Sequence, residues 1–551
     1  MKISKPLIAG SVTILAGVLA GCGSSSDSGS AGSDVSAFQQ SCEALVGLEV
    51  SGGTVTEATY TEASDGDASS ALWPNHCLVR GAMNERTGID GKDYKLQFEV
   101  RMPEDWNNRL YYQGGSGVDG TLFTAVGKYA GGGNTSNALS DGFSVVTTDS
   151  GHIAETGVAN GSYLFGADPQ ARDEYGDMQI PQVTAAARTL IESFYGSEDE
   201  YAYFVGCSNG GRQAMVAAQE YPDLFDGIIA SAPGFKLAQS SVQALYQAQL
   251  TAAVAPTGDD GEPDLTQGLT AAEITTLKTR IFSSCDALDG VEDGMVSSFS
   301  SCNPDPMDWV CADGESDNCL SEEKAEYVSK MFAGAYTSEG ELIYAAWPFD
   351  PGMSSQFANP FLTIFAGEAS HIYTTPPTIT EDLKSYALNA DIDTEFAKMY
   401  ATNGTFQRSG VEFTNGESPD LDAFLARGGK LMILNGSADL AFSLKDVEAY
   451  YAELEARYGT ETADFVKAYF VPGMGHCSGG DATDEFDSFS ALQAWVEEDN
   501  EPAEIIATAG DDTSWPGRTR PLCPYPEEAV YNGSGDIESA DSFSCQTPTA
   551  E

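Results

Sequence analysis

The sequence predicts an α/β fold of the hydrolase type, a largely parallel sheet with helices on both faces, interrupted by one large insertion. Three observations carry this. Short apolar runs alternate with helix-period segments between about residues 80 and 235. The same grammar returns after about residue 411. At the end of the first block, Gly206-Cys207-Ser208-Asn209-Gly210 reads G-x-S-x-G, the pattern of a strained strand-to-helix turn that presents a serine as a nucleophile.

The elements follow in order. Leu110 to Tyr112 and Phe143 to Thr147 read as buried strands. Val183 to Phe194 reads as a helix, apolar at Val183, Ala186, Ala187, Leu190, Ile191 and Phe194. Tyr201 to Val205 is the strand leading into Ser208, and Gly210 to Tyr221 is a helix stopped by Pro222. In the late block, Ser418-Pro419 forms an N-cap and first-turn pair, and Gly428-Gly429 closes that helix. Lys430 to Leu434 and Val466 to Val471 are strands, and Phe486 to Val496 is a helix. Residues 37–235 and 411–551 are therefore two parts of one core. Residues 236–410, with four cysteines, many aromatics and irregular Pro/Gly stretches, read as an inserted lid domain.

The N-terminus reads as an export signal. Lys2 and Lys5 precede an apolar run, Pro6 to Ala20, that is too short for a membrane span. Leu19-Ala20-Gly21-Cys22 looks like a bacterial lipobox, which implies cleavage of residues 1–21 and acylation of Cys22. Residues 22–36 are rich in Gly, Ser and Asp and read as a flexible tether. The expected location is the bacterial cell envelope, with the lipid as the only membrane attachment.

Of 11 cysteines, Cys22 is set aside, and the even remainder in an exported chain favours five disulfides over metal ligation. Spacing suggests the local pairs Cys42–Cys77, Cys285–Cys302, Cys311–Cys319 and Cys523–Cys545, with Cys207 and Cys477 left over. The net charge of −56, from 83 acidic and 27 basic residues, excludes a general nucleic-acid role and suits a solubilising surface.

A serine nucleophile needs a base, and the base needs an orienting carboxylate. The chain has four histidines, and only His371 and His476 follow Ser208. His371 falls in the insertion. His476 lies in the loop Pro472 to Cys477, directly after a strand, and is the candidate base. Asp439, across the turn that follows Lys430 to Leu434, is the candidate acid; its competitor Asp446 falls on a helix face. Two backbone amides should hold the oxyanion, that of Asn209 and one from Gly114-Gly115-Ser116-Gly117, with Gly115 favoured.

These segments resemble the tannase and feruloyl esterase family, marked by a Cys-Ser and a His-Cys joined by a disulfide, here Cys207-Ser208 and His476-Cys477. Thr148 to His152 and Arg518 to Pro526 are similar to the family as well, and the resemblance runs from about residue 42 to 545. It implies an α/β-hydrolase core, a lid and five disulfides. It also implies a structural Ca²⁺ in the acidic loop Cys285 to Val296, bound by the side chains of Asp286, Asp289 and Asp293 and the carbonyls of Val291 and Met295.

The expected function is hydrolysis of esters of aromatic acids through an acyl-enzyme. Feruloyl and other hydroxycinnamoyl esters come first, galloyl esters second and terephthalate monoesters third. The last class carries a free carboxylate, and the insertion has no arginine between Arg280 and Arg408 to hold it. Trp309, Trp347, Phe349, Phe357, Phe361, Phe365 and Tyr373 are candidates to line an aromatic pocket or to fill the insertion's core. The reading from another class is a non-catalytic, calcium-dependent surface-binding lipoprotein, which predicts a broken triad; Ser208, Asp439 and His476 argue against it.

Overall fold

The computed structural model describes residues 36–65, 72–358, 361–414 and 416–548. The export signal and Cys22 lie outside the described residues, as does nearly all of the tether. Among the described residues no helix is long and apolar enough to cross a membrane.

Among the described residues, ten strands form one sheet. Four N-terminal strands, β1 (Glu49–Val50), β2 (Gly53–Thr61), β3 (His76–Thr87) and β4 (Asp93–Pro103), pair antiparallel in sequence order. β5 (Arg109–Gln113), β6 (Ser144–Thr148), β7 (Tyr201–Cys207) and β8 (Gly227–Ser231) follow. β6 pairs antiparallel with β4, and from β6 the sheet runs parallel through β5, β7 and β8. The parallel strands are buried on both faces, as their near-continuous apolar sequences require.

A small hairpin, β9 (Ala335–Tyr336) with β10 (Leu342–Tyr344), lies outside this sheet. The sheet resumes with β11 (Lys430–Gly436) and β12 (Val466–Val471). β11 lies directly against β8, Lys430–Leu434 in register with Gly227–Ser231. Everything from 232 to 429 is thus inserted between two neighbouring strands. Its helix Leu237–Val254 packs with Phe396, Ala366 and Ala369 into an apolar cluster that also takes in Phe165, Tyr175 and Phe442 of the core. Two further hairpins close the chain, β13 (Ile505–Thr508) with β14 (Thr519–Leu522) and β15 (Glu528–Tyr531) with β16 (Phe543–Gln546).

The five disulfides are the expected pairs. One helix is shorter than its sequence suggests. Ser418 Oγ accepts from the Asp420 amide two residues on, a local turn, and the Leu421 amide donates to the Tyr458 hydroxyl. The helix then covers only Asp422–Ala426. Side-chain competition for the backbone delayed its start.

Candidate active site

Ser208 stands between β7 and the helix Asn209–Glu220 with φ 63° and ψ −124°. That region costs a non-glycine residue about 1–3 kcal/mol and persists only where the surroundings enforce it. They do. A Cβ on Gly206 would lie 2.4 Å from the Gly210 carbonyl, and one on Gly210 would lie 2.6 Å from the Gly115 carbonyl oxygen. Strand, helix and glycine loop pack backbone to backbone, so the motif's glycines are steric necessities.

His476 arrives from the far side of the sequence. Its Nδ1 lies 3.0 and 3.1 Å from the two Asp439 carboxylate oxygens. Asp439 is buried and also accepts the amides of Ala441 and Phe442, which fixes its rotamer. Burial works against a charged imidazole, but the Asp439 carboxylate outweighs it and holds the His476 pKa above its ordinary value. Burial lowers the pKa of the other three: His76 and His152 to about 4, and His371 as well. Asp446 is paired with Lys236 at 2.9 Å and stands apart from His476.

Cys207 and Cys477 are bonded, with Cα atoms 6.0 Å apart, so the neighbours of Ser208 and His476 are joined across 270 residues. Among the described residues no hydrogen bond joins Ser208 Oγ to His476. The acid and base loops have a second tie. Asp350, a buried residue of the insertion, accepts the Ser437 hydroxyl at 2.5 Å and the Gly473 amide at 3.1 Å. One inserted carboxylate thus links the turn before Asp439 to the turn before His476.

The glycine loop corrects one expectation. The Gly115 amide donates to Gln213 Oε1 at 2.9 Å and is committed to the scaffold. Among the described residues the next amide, that of Ser116, has no acceptor, and neither has the Asn209 amide. Beneath them is a buried polar network that sequence reasoning missed. Asp119 accepts from the Ser150 hydroxyl, the Asn209 side-chain amide and, at 2.9 Å, Gln213. Asn209 in turn accepts from Arg212 at 2.8 Å, and Arg212 spends its other nitrogens on the Gly176 and Tyr175 carbonyls. Burial raises the Asp119 pKa to about 6 against the pull of these donors. The partners lie 31 to 94 residues from Asp119, so no local pattern announces them.

The model of the family described as tannase and feruloyl esterase matches residues 77–546. The chain belongs to this family. It is 36% identical over 538 residues to a mono(2-hydroxyethyl) terephthalate hydrolase of Piscinibacter sakaiensis, covering 90% of this chain and 89% of the relative. It is 30% identical to a probable feruloyl esterase of Arthroderma benhamiae, covering 81% of each. Among solved structures, feruloyl esterase B of Aspergillus oryzae superposes with a TM-score of 0.75 at 22% identity, over 92% of this chain and all of that one. Tannin acyl hydrolase of Aspergillus niger superposes at 0.67 and 21%, over 92% and 94%. This protein is a carboxylic ester hydrolase of the α/β fold.

In this esterase the acidic loop is gathered but not closed into a cage. Asp286 accepts the amides of Asp293 and Gly294, and Asp293 is held by Arg520 and, at 3.7 Å, Arg518. Asp289 is different. Its buried Oδ2 has no partner, and burial, with Asp293 and Asp286 nearby, raises its pKa to about 7. Among the described residues no three acidic, His or Cys groups are close enough together to hold an ion. The unpartnered Asp289 oxygen is the feature that fits a cation.

The aromatic candidates of the insertion are mainly packing. Trp309, Trp347, Phe349 and Phe357 join the main core cluster, Phe349 stacking on Phe332 at 4.4 Å, Phe365 joins the cluster around the helix Leu237–Val254, and the Phe361 side chain lies outside the described residues. The Tyr373 hydroxyl bonds that of Tyr175 at 2.8 Å. Arg408 is paired with Asp173 and Asp177 at 3.2 and 2.6 Å, so two carboxylates already balance its charge.

Proposed function

We propose that this protein is an exported serine esterase, anchored to the cell envelope through acylated Cys22, that hydrolyses esters of aromatic acids. Feruloyl and related hydroxycinnamoyl esters are the preferred class and galloyl esters the next. The observation that carries the mechanism is the His476–Asp439 pair, bonded at 3.0–3.1 Å and tied through Cys207–Cys477 to the strained Ser208. With Nδ1 held by Asp439, Nε2 is the nitrogen free to take the Ser208 proton. Ser208 attacks the ester carbonyl, and the oxyanion is met by the Asn209 and Ser116 amides. His476 hands its proton to the leaving alkoxide, and water then releases the acid by the same steps.

Terephthalate monoesters form a second reading, favoured by the 36% identity to the mono(2-hydroxyethyl) terephthalate hydrolase. The commitment of Arg408 to Asp173 and Asp177 weighs against it. A structural Ca²⁺ belongs to the proposal as well: it would be centred on Asp289, and Asp286, Asp293 and the Val291 and Met295 carbonyls would have to draw in around it. It would neutralise the unpartnered Asp289 oxygen and steady the insertion.

The deciding experiment measures kcat/KM on methyl ferulate, methyl gallate and mono(2-hydroxyethyl) terephthalate, with fluorophosphonate labelling in parallel. Labelling at Ser208 and highest kcat/KM on methyl ferulate are expected. No labelling would remove the serine mechanism, and terephthalate monoester as best substrate would reverse the order. Chelation that leaves Tm unchanged would remove the calcium.

A further inference from the structure

A cavity of about 340 Å³ opens beside the active-site disulfide, on the core rather than the inserted side. Its wall is mostly apolar. Gly115 and Ser116 form one edge, Cys207 and Cys477 another, and Phe123 and Tyr129 a third. It therefore touches the glycine loop and the residues adjacent to both Ser208 and His476. Aromatic rings and a volume of this order suit a single ring of a ligand.

Lys128 also lines it. The Lys128 backbone is fixed, because its carbonyl accepts the Tyr111 hydroxyl at 2.6 Å. The preceding Gly127 is held as well, its amide by Gln113 Oε1 at 2.7 Å and its carbonyl by the Ala138 amide at 2.9 Å. Tyr129 is braced by stacking on Phe489 at 4.6 Å and by its hydroxyl's bond to Asp141 at 2.8 Å. Yet among the described residues the Lys128 ammonium has no ion pair, hydrogen bond or ring contact. Lys128 is exposed, and its charge is uncommitted within the protein. Elsewhere Arg408 and Lys236 are paired with carboxylates, and Arg212 is spent on carbonyl and amide oxygens. Asp141 accepts the Tyr129 hydroxyl and Asp484 the Gly479 amide, and neither pairs with Lys128.

We infer that this cavity is a subsite for the alcohol half of the ester, and that Lys128 selects an aromatic alcohol bearing a carboxylate. The alcohol half is assigned because Cys477 in the wall adjoins His476, the group that protonates the leaving alkoxide. The inference rests on the aromatic-ester reading above and extends it to the other side of the scissile bond. It needs no arginine in the insertion, since the anion is met from the core.

The test compares benzyl ferulate with 4-carboxybenzyl ferulate on wild type, Lys128→Gln and Lys128→Glu. Wild type should favour the carboxylated ester. Lys128→Gln should cut the ratio of the two kcat/KM values about tenfold, and Lys128→Glu should invert the preference. The wild-type preference should shrink as salt rises. A ratio indifferent to both substitutions overturns the inference. So does a Lys128 effect confined to esters whose carboxylate sits on the acyl half. If wild type cleaves neither ferulate, the substrate reading above has failed and the subsite is judged by binding alone. Calorimetry with 4-(hydroxymethyl)benzoate should then show binding to wild type weakened about tenfold by Lys128→Gln, and absent or unchanged binding overturns it.

Discussion

The proposed nucleophile and the proposed base of this esterase are held in opposite ways. Ser208 is positioned almost wholly by its neighbours in sequence: strand β7 before it, a helix after it, and Gly206 and Gly210 that allow the turn to be tight. His476 is positioned by residues far away in the chain, through Asp439, the Asp350 bridge and the disulfide to Cys207. One half of the site is a local strained turn; the other is assembled by tertiary contacts. The local half should survive perturbations that dismantle the assembled half.

The largest effect should come from the local half's only reactive atom. Ser208→Ala is expected to lower kcat by about 10⁵–10⁶-fold with an unchanged circular dichroism spectrum. A residual rate within a hundredfold of wild type would break the comparison at its root.

Asp439→Asn should cost about 10⁴-fold and change the pH profile. His476 works as a base only when neutral, and its pKa lies above the ordinary value of about 6.5. The acid limb of kcat/KM should therefore fall above pH 6.5 in wild type. Without the carboxylate, burial alone acts on the ring, and the limb should move below 6.5. The stability linkage has the opposite sense. The charged pair contributes stability below the unfolded pKa and loses it as pH rises through the folded one. An acid limb that Asp439→Asn leaves in place would assign it to another group.

The disulfide should show the asymmetry most directly. Closing a loop of 270 residues is worth about 5.6 kcal/mol in the chain-entropy account, against about 3.4 kcal/mol for the 22-residue loop of Cys523–Cys545. Mild reduction, or Cys207→Ser with Cys477→Ser, should nonetheless abolish most activity at temperatures where the sheet is still folded. Persisting activity after Cys207–Cys477 is opened, checked by thiol mapping, would show that Asp439 and Asp350 suffice to hold His476.

The smallest expected effect sharpens the role of the insertion. Asp350→Ala strands the Ser437 hydroxyl and leaves the Gly473 amide only that hydroxyl as partner, so a loss of about 2 kcal/mol in stability is expected. Because both active-site loops lose a shared anchor, kcat should also fall, by about tenfold. A stability loss with kcat untouched would limit Asp350 to a structural role.

The sequence by itself determined what depends on neighbours along the chain. The elbow glycines, the parallel strands and the candidates Ser208, Asp439 and His476 were all legible, because strand and turn patterns are written within a few residues. The short helix at Asp422–Ala426 was misread because the Tyr458 hydroxyl, 37 residues away, competed for its first amides. Only the tertiary structure decided which amide of the glycine loop is free. Gln213 takes Gly115's, and Gln213 is placed by its bond to Asp119. Only it showed that Arg408 is neutralised and that Lys128 is not. Whether a charge is spent or available depends on what folding brings within about 4 Å of it, and for Arg408 those partners lie 235 and 231 residues away.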